Sequence, residues 1–233
     1  MSFKANWKCV DIEQINYVRA LDIQRKLVEA KKNAQVDEDI LLVLEHAAVF
    51  TVGRNGGYEN LIVSKQELDR KGIEVVHIER GGNITYHGPG QLVAYPIIDL
   101  RSNKLSVTQF VYYLEEVMLQ ICESWGVKAD RDQRNHGLWV GEKKIGSVGV
   151  AIRKGISFHG LAFNVCNSLT PFSWINPCGL NGVQMTSLQK ETSAENKQIA
   201  MDKVRQKCKE KFSQCFEIQL EDCALDWVEK QLT

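Results

Sequence analysis

Between Gly137 and Val165 three strand-like runs follow one another with almost nothing between them, and no other feature restricts the fold as much. Gly137–Val140, Lys144–Arg153 and Ile156–Val165 are rich in apolar and β-branched residues, and their turns fall at Gly141-Glu142 and Lys154-Gly155. Connections that short join antiparallel neighbours, because a parallel pair needs a crossover of a dozen or more residues. The helical stretches therefore mix with hairpins instead of alternating with strands. This predicts an α/β (α+β) fold on a mixed β-sheet and disfavours a Rossmann sheet.

The remaining elements follow from periodicity and punctuation. Residues 3–10 read as a strand. A helix is expected from Asp11 to about Lys32, with Asp11 as its cap and Ile15, Val18, Leu21 and Val28 on one face. Ile40–Leu44 is apolar throughout, as in a buried strand, and Val49–Val52 continues extended. Ser64 with Glu67 forms a capping box, and Gly72 stops the short helix after it. Ile73–Ile78 reads as a strand, 79–90 as a glycine-rich loop, and Gln91–Leu100 as a strand in which Pro96 implies an edge or a bulge. Ser106 and Gln109 cap a helix with Phe110, Leu114, Val117 and Ile121 on one face, ended by Gly126. A third helix is expected from near Thr192 to Cys215, then a strand at Phe216–Leu220 and a short terminal helix. No linker divides the chain, so 1–233 is read as one catalytic domain.

Composition excludes some classes of function. Lys plus Arg equals Asp plus Glu at 29 each, so no global basic field points to nucleic acid. The seven cysteines are irregularly spaced without a C-x-x-C, which suits reduced thiols and neither a disulfide frame nor a metal site. Met1–Val10 shows no signal-peptide core, and no apolar run approaches the roughly 20 residues that span a bilayer. A cytoplasmic protein that does not enter membranes is expected.

Four segments carry candidate chemistry. Arg80-Gly81-Gly82-Asn83-Ile84-Thr85-Tyr86-His87-Gly88-Pro89-Gly90-Gln91 holds four glycines, more than a turn needs, and implies close backbone approach to a ligand or a structural Ω-loop. It fits neither a P-loop nor G-x-G-x-x-G. In Lys143-Lys144-Ile145-Gly146-Ser147-Val148-Gly149, Lys143 reads as a solvated turn residue. Lys144 abuts the apolar strand, where partial desolvation would make its proton easier to lose. In His159-Gly160-Leu161-Ala162-Phe163-Asn164, a lone histidine beside an apolar strand is more often structural than a base. Cys178, between Pro177 and Gly179, sits in a rigid, unhindered turn, unlike Cys122, Cys208 and Cys215 at apolar helical positions. A reactive thiolate needs a nearby cation, and Lys144 is the candidate.

In this order the segments resemble the lipoyl(octanoyl) transferase family. Glu45-His46 and Thr51-Val52-Gly53-Arg54 look like its early strand motif, and Arg80–Gln91 like its Arg-Gly-Gly-x-x-Thr-x-His-Gly-Pro-Gly-Gln signature. Lys144-Ile145 followed by Gly149, His159-Gly160-Leu161-Ala162 with Asn164, and Pro177-Cys178-Gly179 with Thr186-Ser187-Leu188 match the later motifs. Ala47-Ala48 replaces common prolines, and Phe163 a common leucine, a change expected to bear on the acyl pocket.

The resemblance implies a fold shared with lipoate and biotin protein ligases: a mixed sheet packed with helices, plus a smaller sheet. It implies Cys178 as nucleophile and Lys144 as its activator. Arg80, Gly81, Gly82, Asn83, Ile84, Thr85, Tyr86 and His87 would bind substrate, as would Ser147, Val148, Gly149, Gly160, Leu161 and Ala162. His159 and Asn164 would support them; either histidine ranks below Lys144 as base, because no orienting Asp or Asn is evident. The implied donor is octanoyl-acyl carrier protein. The implied acceptors are lipoyl domains of 2-oxoacid dehydrogenases and the glycine cleavage H protein. An activated thioester requires no cofactor.

Overall fold

Ile40-Leu41-Leu42-Val43-Leu44 is apolar at every position because both of its faces are covered. In the computed structural model, whose described residues are 5–176, 182–192 and 198–232, it forms the middle of strand β1's neighbour within a large mixed sheet. Strand β1 (Ala5–Ile15) leads into helix α1 (Tyr17–Lys32) and returns as β2 (Asp39–His46), parallel to β1. Along β2, Leu41 and Val43 enter one hydrophobic layer and Ile40, Leu42 and Leu44 the other, as the two-residue repeat of a strand requires.

The chain then builds a small second sheet. Strand β3 (Val49–Val52) is followed by helix α2 (Lys65–Arg70), β4 (Glu74–His77) and β5 (Ile84–His87). Strand β3 is central, pairing with β4 in parallel and with β5 antiparallel. Phe50, Val52, Leu68, Ile84, Tyr86 and Phe172 fill its core. Strand β5 lies inside the expected glycine-rich loop. The glycines on either side mask a short alternation in which Ile84 and Tyr86 join that core.

Strand β6 (Gln91–Ile97) returns to the large sheet, antiparallel to β2, and helix α3 (Val107–Ser124) follows. The hairpins are β7 (Gly137–Val140), β8 (Lys143–Arg153) and β9 (Ile156–Asn164), all antiparallel neighbours as expected. Strand β10 (Gln184–Met185), helices α4 (Leu188–Glu191) and α5 (Met201–Phe216), β11 (Ile218–Asp222) and α6 (Leu225–Gln231) complete the described residues. The large sheet runs β10-β8-β9-β6-β2-β1-β11, with β7 also on β8. Helices α3 and α5 supply Phe110, Leu114, Val204 and Phe212 to one face; α1 and α6 supply Leu27, Val28 and Val228 to the other. The capping box at Ser106 and Gln109 is present with both reciprocal hydrogen bonds, and Phe110, Leu114, Val117 and Ile121 are fully buried.

Three expectations are corrected. Asp11 does not cap α1: pairing with β2 holds the chain extended to Ile15, and Asn16 accepts the N–H groups of Val18 (2.9 Å) and Arg19 (3.2 Å). Val18 thus turns outward, 50% exposed. The third helix is divided: Ser187 caps α4, Thr192 is already extended, and α5 begins at Met201, with 193–197 outside the described residues.

Pro96 lies at neither an edge nor a bulge, because β6 is flanked by β2 and β9. The β6–β9 ladder pairs Gln91–Ala94 with Asn164–Leu161, then resumes in the same register at Ser157 N–H to Ile98 O (2.9 Å). The rung between them lacks the proline donor. Opposite it, His159 adopts a left-handed φ of 57° and donates its N–H to Gln24 Oε1 (2.7 Å), while the Ser157 hydroxyl donates to Pro96 O (2.8 Å). Every freed group named here has found another partner. A Cβ at Gly160 would stand 2.1 Å from Ala94 O, so only glycine lets the strands pass.

Candidate active site

Toward its β10 end the large sheet buries a lysine on β8. Pairing with β7 changes register between Leu138 and Trp139, so Ile145 is the extra residue of a bulge. Beside it Lys144 pairs with Trp139 on one side and Met185 on the other, and is 0% exposed. Its stem passes Gly137, where a Cβ would stand 3.0 Å from Lys144 Cε. Nζ donates to Asn135 Oδ1 (2.9 Å) and His136 O (3.0 Å) and lies 5.3 Å from the Trp139 ring centroid. The expected desolvation of this residue is met by burial among these groups.

Helix α3 holds the loop that carries those acceptors. Glu115, nearly buried, accepts the Gly137 N–H (2.9 Å), lies 3.3 Å from His136 Nδ1 and pairs with Arg131 at 3.2 Å. Arg134 stacks on Trp139 at 4.2 Å and pairs with Asp132.

Cys178, with Pro177, Gly179, Leu180 and Asn181, lies outside the described residues. On one side of that segment, Asn176 N–H bonds Asn60 O (2.8 Å); on the other, Gln184 and Met185 pair with Lys143 and Lys144.

A cleft of about 520 Å³, its mouth included, opens between the two sheets. Its wall contains Arg80, Gly81, Gly82, Asn83, Ile84, Thr85 and His87 from the loop and β5, Ser147, Val148 and Gly149 from β8, and His159, Gly160, Leu161 and Ala162 from β9. Tyr86 is not on this wall: its ring packs between Phe50 (5.4 Å) and Phe172 (5.5 Å) in the small sheet. Phe163 is fully buried in the layer beneath α3, away from the cleft. Asn164 lies behind the wall, accepting from Gln91 Nε2 (2.9 Å) and donating to Thr186 O (3.0 Å).

A hydrogen-bonded network fixes the inner end. His87 Nδ1 donates to Gln91 Oε1 (2.8 Å), since the Gln91 amide nitrogen is itself directed at Tyr86 O and Asn164 Oδ1. Arg80, buried, donates to the Thr51 carbonyl (2.7 Å) and hydroxyl (2.9 Å). His46 donates to Ile15 O (3.0 Å) and accepts from Tyr95 Oη (2.8 Å). Burial pushes the His46 pKa down to about 4; burial, with His46 and Arg80 nearby, pushes His87 well below its ordinary value. Both imidazoles are neutral at pH 7.

His159 differs. It is 1% exposed, and neither ring nitrogen has a hydrogen-bond partner among the described residues; Glu79 Oε2 stands 3.8 Å from Nε2. Burial lowers its pKa, and Glu79 opposes that shift. That a carboxylate faces His159 was not legible in the sequence, because a glutamate at the start of a loop carries no sign of where it points. Tyr17, Tyr95 and Asn135 also line the cleft. The two tyrosines occupy apolar positions of α1 and β6 and read as core, and Asn135 reads as a loop residue.

The profile of the lipoyl protein ligase A/B catalytic domain matches residues 16–213. An octanoyltransferase of Desulfotalea psychrophila is 50% identical over 188 residues, 80% of this chain and 84% of that one. One of Thermoanaerobacter sp. is 42% identical over 213 residues, 91% of each. Among solved structures, lipoate-protein ligase A bound with ATP superposes with a TM-score of 0.77 at 17% identity, over 97% of this chain and 92% of that one. The putative lipoate protein ligase Ta0514 of T. acidophilum with bound lipoic acid gives 0.75 at 18%, over the same shares. These two likenesses establish the fold: a mixed sheet with packed helices and a smaller sheet, as expected. With the profile spanning most of the chain and relatives at such identity, the chain belongs to the octanoyltransferase family of lipoyl protein ligase A/B catalytic domains.

Proposed function

We propose that this protein transfers an octanoyl group from the thioester of an acyl carrier protein to one lysine of a lipoyl domain, through a thioester on Cys178. The observation that carries the mechanism is Lys144, wholly buried beside the cleft with Nζ donating to Asn135 Oδ1 and His136 O, and paired with Met185 where the chain beyond the cysteine segment rejoins the sheet.

Lys144 takes the thiol proton, giving a thiolate beside an ammonium. Sulfur attacks the thioester carbonyl, the carbon–sulfur bond to the carrier breaks, and the departing thiolate takes the Lys144 proton. The neutral lysine then accepts a proton from the incoming amine as it attacks acyl-Cys178, and the thiolate–ammonium pair is restored. The alkyl chain lies along Ser147–Gly149 and Gly160–Ala162, with Arg80–Thr85 and His87 as the opposite wall. Asn164 and His159 support that wall. The acceptors are lipoyl domains of 2-oxoacid dehydrogenases and the glycine cleavage H protein, the whole chain 1–233 is the catalytic unit, and the reaction runs in the cytoplasm without a cofactor. No described helix is long and apolar enough to cross a membrane.

Mass spectrometry after incubation with octanoyl-carrier protein tests the scheme. One added octanoyl group is expected on the wild type and none on Cys178→Ala; an adduct retained by that variant overturns it. Octanoic acid with ATP should leave the lipoyl domain unmodified.

A further inference from the structure

One peptide group separates two buried charges. Its N–H, at Gly137, is donated to Glu115 Oε1 at 2.9 Å; its C=O, at His136, accepts Lys144 Nζ at 3.0 Å. Carboxylate, N–H, carbonyl and ammonium thus form a continuous chain across a single amide. Hydrogen bonds in such a chain polarise one another, and a negative charge at the N–H end makes the carbonyl a stronger acceptor. The peptide is also fixed in place: Gly137 has a φ of 131°, and it pairs with Ser147 of β8. Glu115 projects from the middle of α3, whose Leu114, Val117 and Met118 are fully buried, so its carboxylate has a rigid support.

We propose that Glu115 is a positioning residue that tunes Lys144 through the His136–Gly137 peptide, raising the lysine's affinity for a proton without touching it. A carboxylate in direct contact would hold the proton and oppose its return to a leaving group. Delivered through an amide, the same charge strengthens the base while the group that meets the ammonium there is the neutral His136 carbonyl. This rests on the reading of Lys144 as activator of Cys178.

Other charged groups around this site are accounted for. Asp132 faces Lys144 from the same loop but is held by Arg134, which also pairs with Glu142. On the β10 side Glu191 lies 3.6 Å from Lys143 and accepts the Thr186 hydroxyl. Arg131 pairs with both Glu115 and Glu116, and His136 lies beside Glu115. Glu116 supplies the control: it pairs with Arg131 at 2.7 Å, as Glu115 does at 3.2 Å, yet no hydrogen bond joins it to the 136–137 peptide among the described residues.

The test is the pH profile of Cys178 alkylation in the full-length protein, without acyl donor. Glu115→Gln keeps an acceptor for the Gly137 N–H and removes the charge. Its acid limb should move up by about one pH unit, the order expected of one carboxylate acting at short range in a buried site. Glu116→Gln should superimpose on the wild type. Added to Lys144→Met, Glu115→Gln should cause no further shift.

A Glu115→Gln profile matching the wild type overturns the proposal, as does an equal shift in Glu116→Gln. Lys144→Met separates the two readings: if it too leaves the profile unmoved, the role of Lys144 fails; if it moves the profile and Glu115→Gln does not, only this inference fails. Amide NMR of the wild type needs no variant. The Gly137 signal should titrate together with the thiol, and a signal flat through that range counts against the relay.

Discussion

Pro96 and His159 face each other across two central strands, and the defect they share places an imidazole in the cleft wall. A proline in the middle of a sheet removes one rung, and the left-handed histidine opposite it needs that rung open. Gly160 completes the arrangement. Gly160→Ala would force a Cβ into Ala94 O, and the expected loss is about 3 kcal/mol in urea unfolding. A loss under about 0.5 kcal/mol would show that β9 shifts freely there. The His-Gly pair was legible as a segment of interest, but its conformation was not: nothing near 159 in the chain announces Pro96 or Gln24.

Helix α3 was legible almost residue by residue, because its capping box and its apolar stripe are local patterns. Its polar residue Glu115 was not, since a glutamate on a helix ordinarily reads as a solvated face. Leu114→Ala should cost about 2–5 kcal/mol, since the side chain is fully buried between α3 and the sheet. Val18 of α1 was assigned to a buried face through the misplaced cap. Val18→Ser should change stability by no more than about 0.5 kcal/mol. Thermal or chemical unfolding of the two variants together checks both helix faces; equal losses would contradict the burial pattern.

Across the whole molecule, three buried imidazoles, His46, His87 and His159, all have pKa values lowered chiefly by burial. A base with a folded pKa below its unfolded one binds protons more readily when unfolded at acid pH. Its full contribution is present above about 6.5, the unfolded value, and is lost progressively as pH falls toward the folded value. For His46, whose folded value is about 4, the loss between those limits is about 3 kcal/mol. Urea midpoints should therefore fall steeply between about pH 6.5 and 4. His46→Gln should flatten that slope; an unchanged slope would show that other groups control acid unfolding.

What the sequence determined by itself was carried by near neighbours in the chain: the hairpins at Gly137–Val165, the caps, the mixed character of the sheet, and the segments from which the cleft is built. Periodicity and turn chemistry act over a few residues, so they are written locally. Only the tertiary structure decided which groups within and around those segments meet. Lys144 draws its acceptors from β7's approach, that approach is held by Glu115 on α3, Glu79 comes to face His159, and Tyr17 and Tyr95 close the inner end. Each of these depends on elements distant in sequence packing to a common center, and side-chain direction at such a meeting follows from packing, not from local propensity.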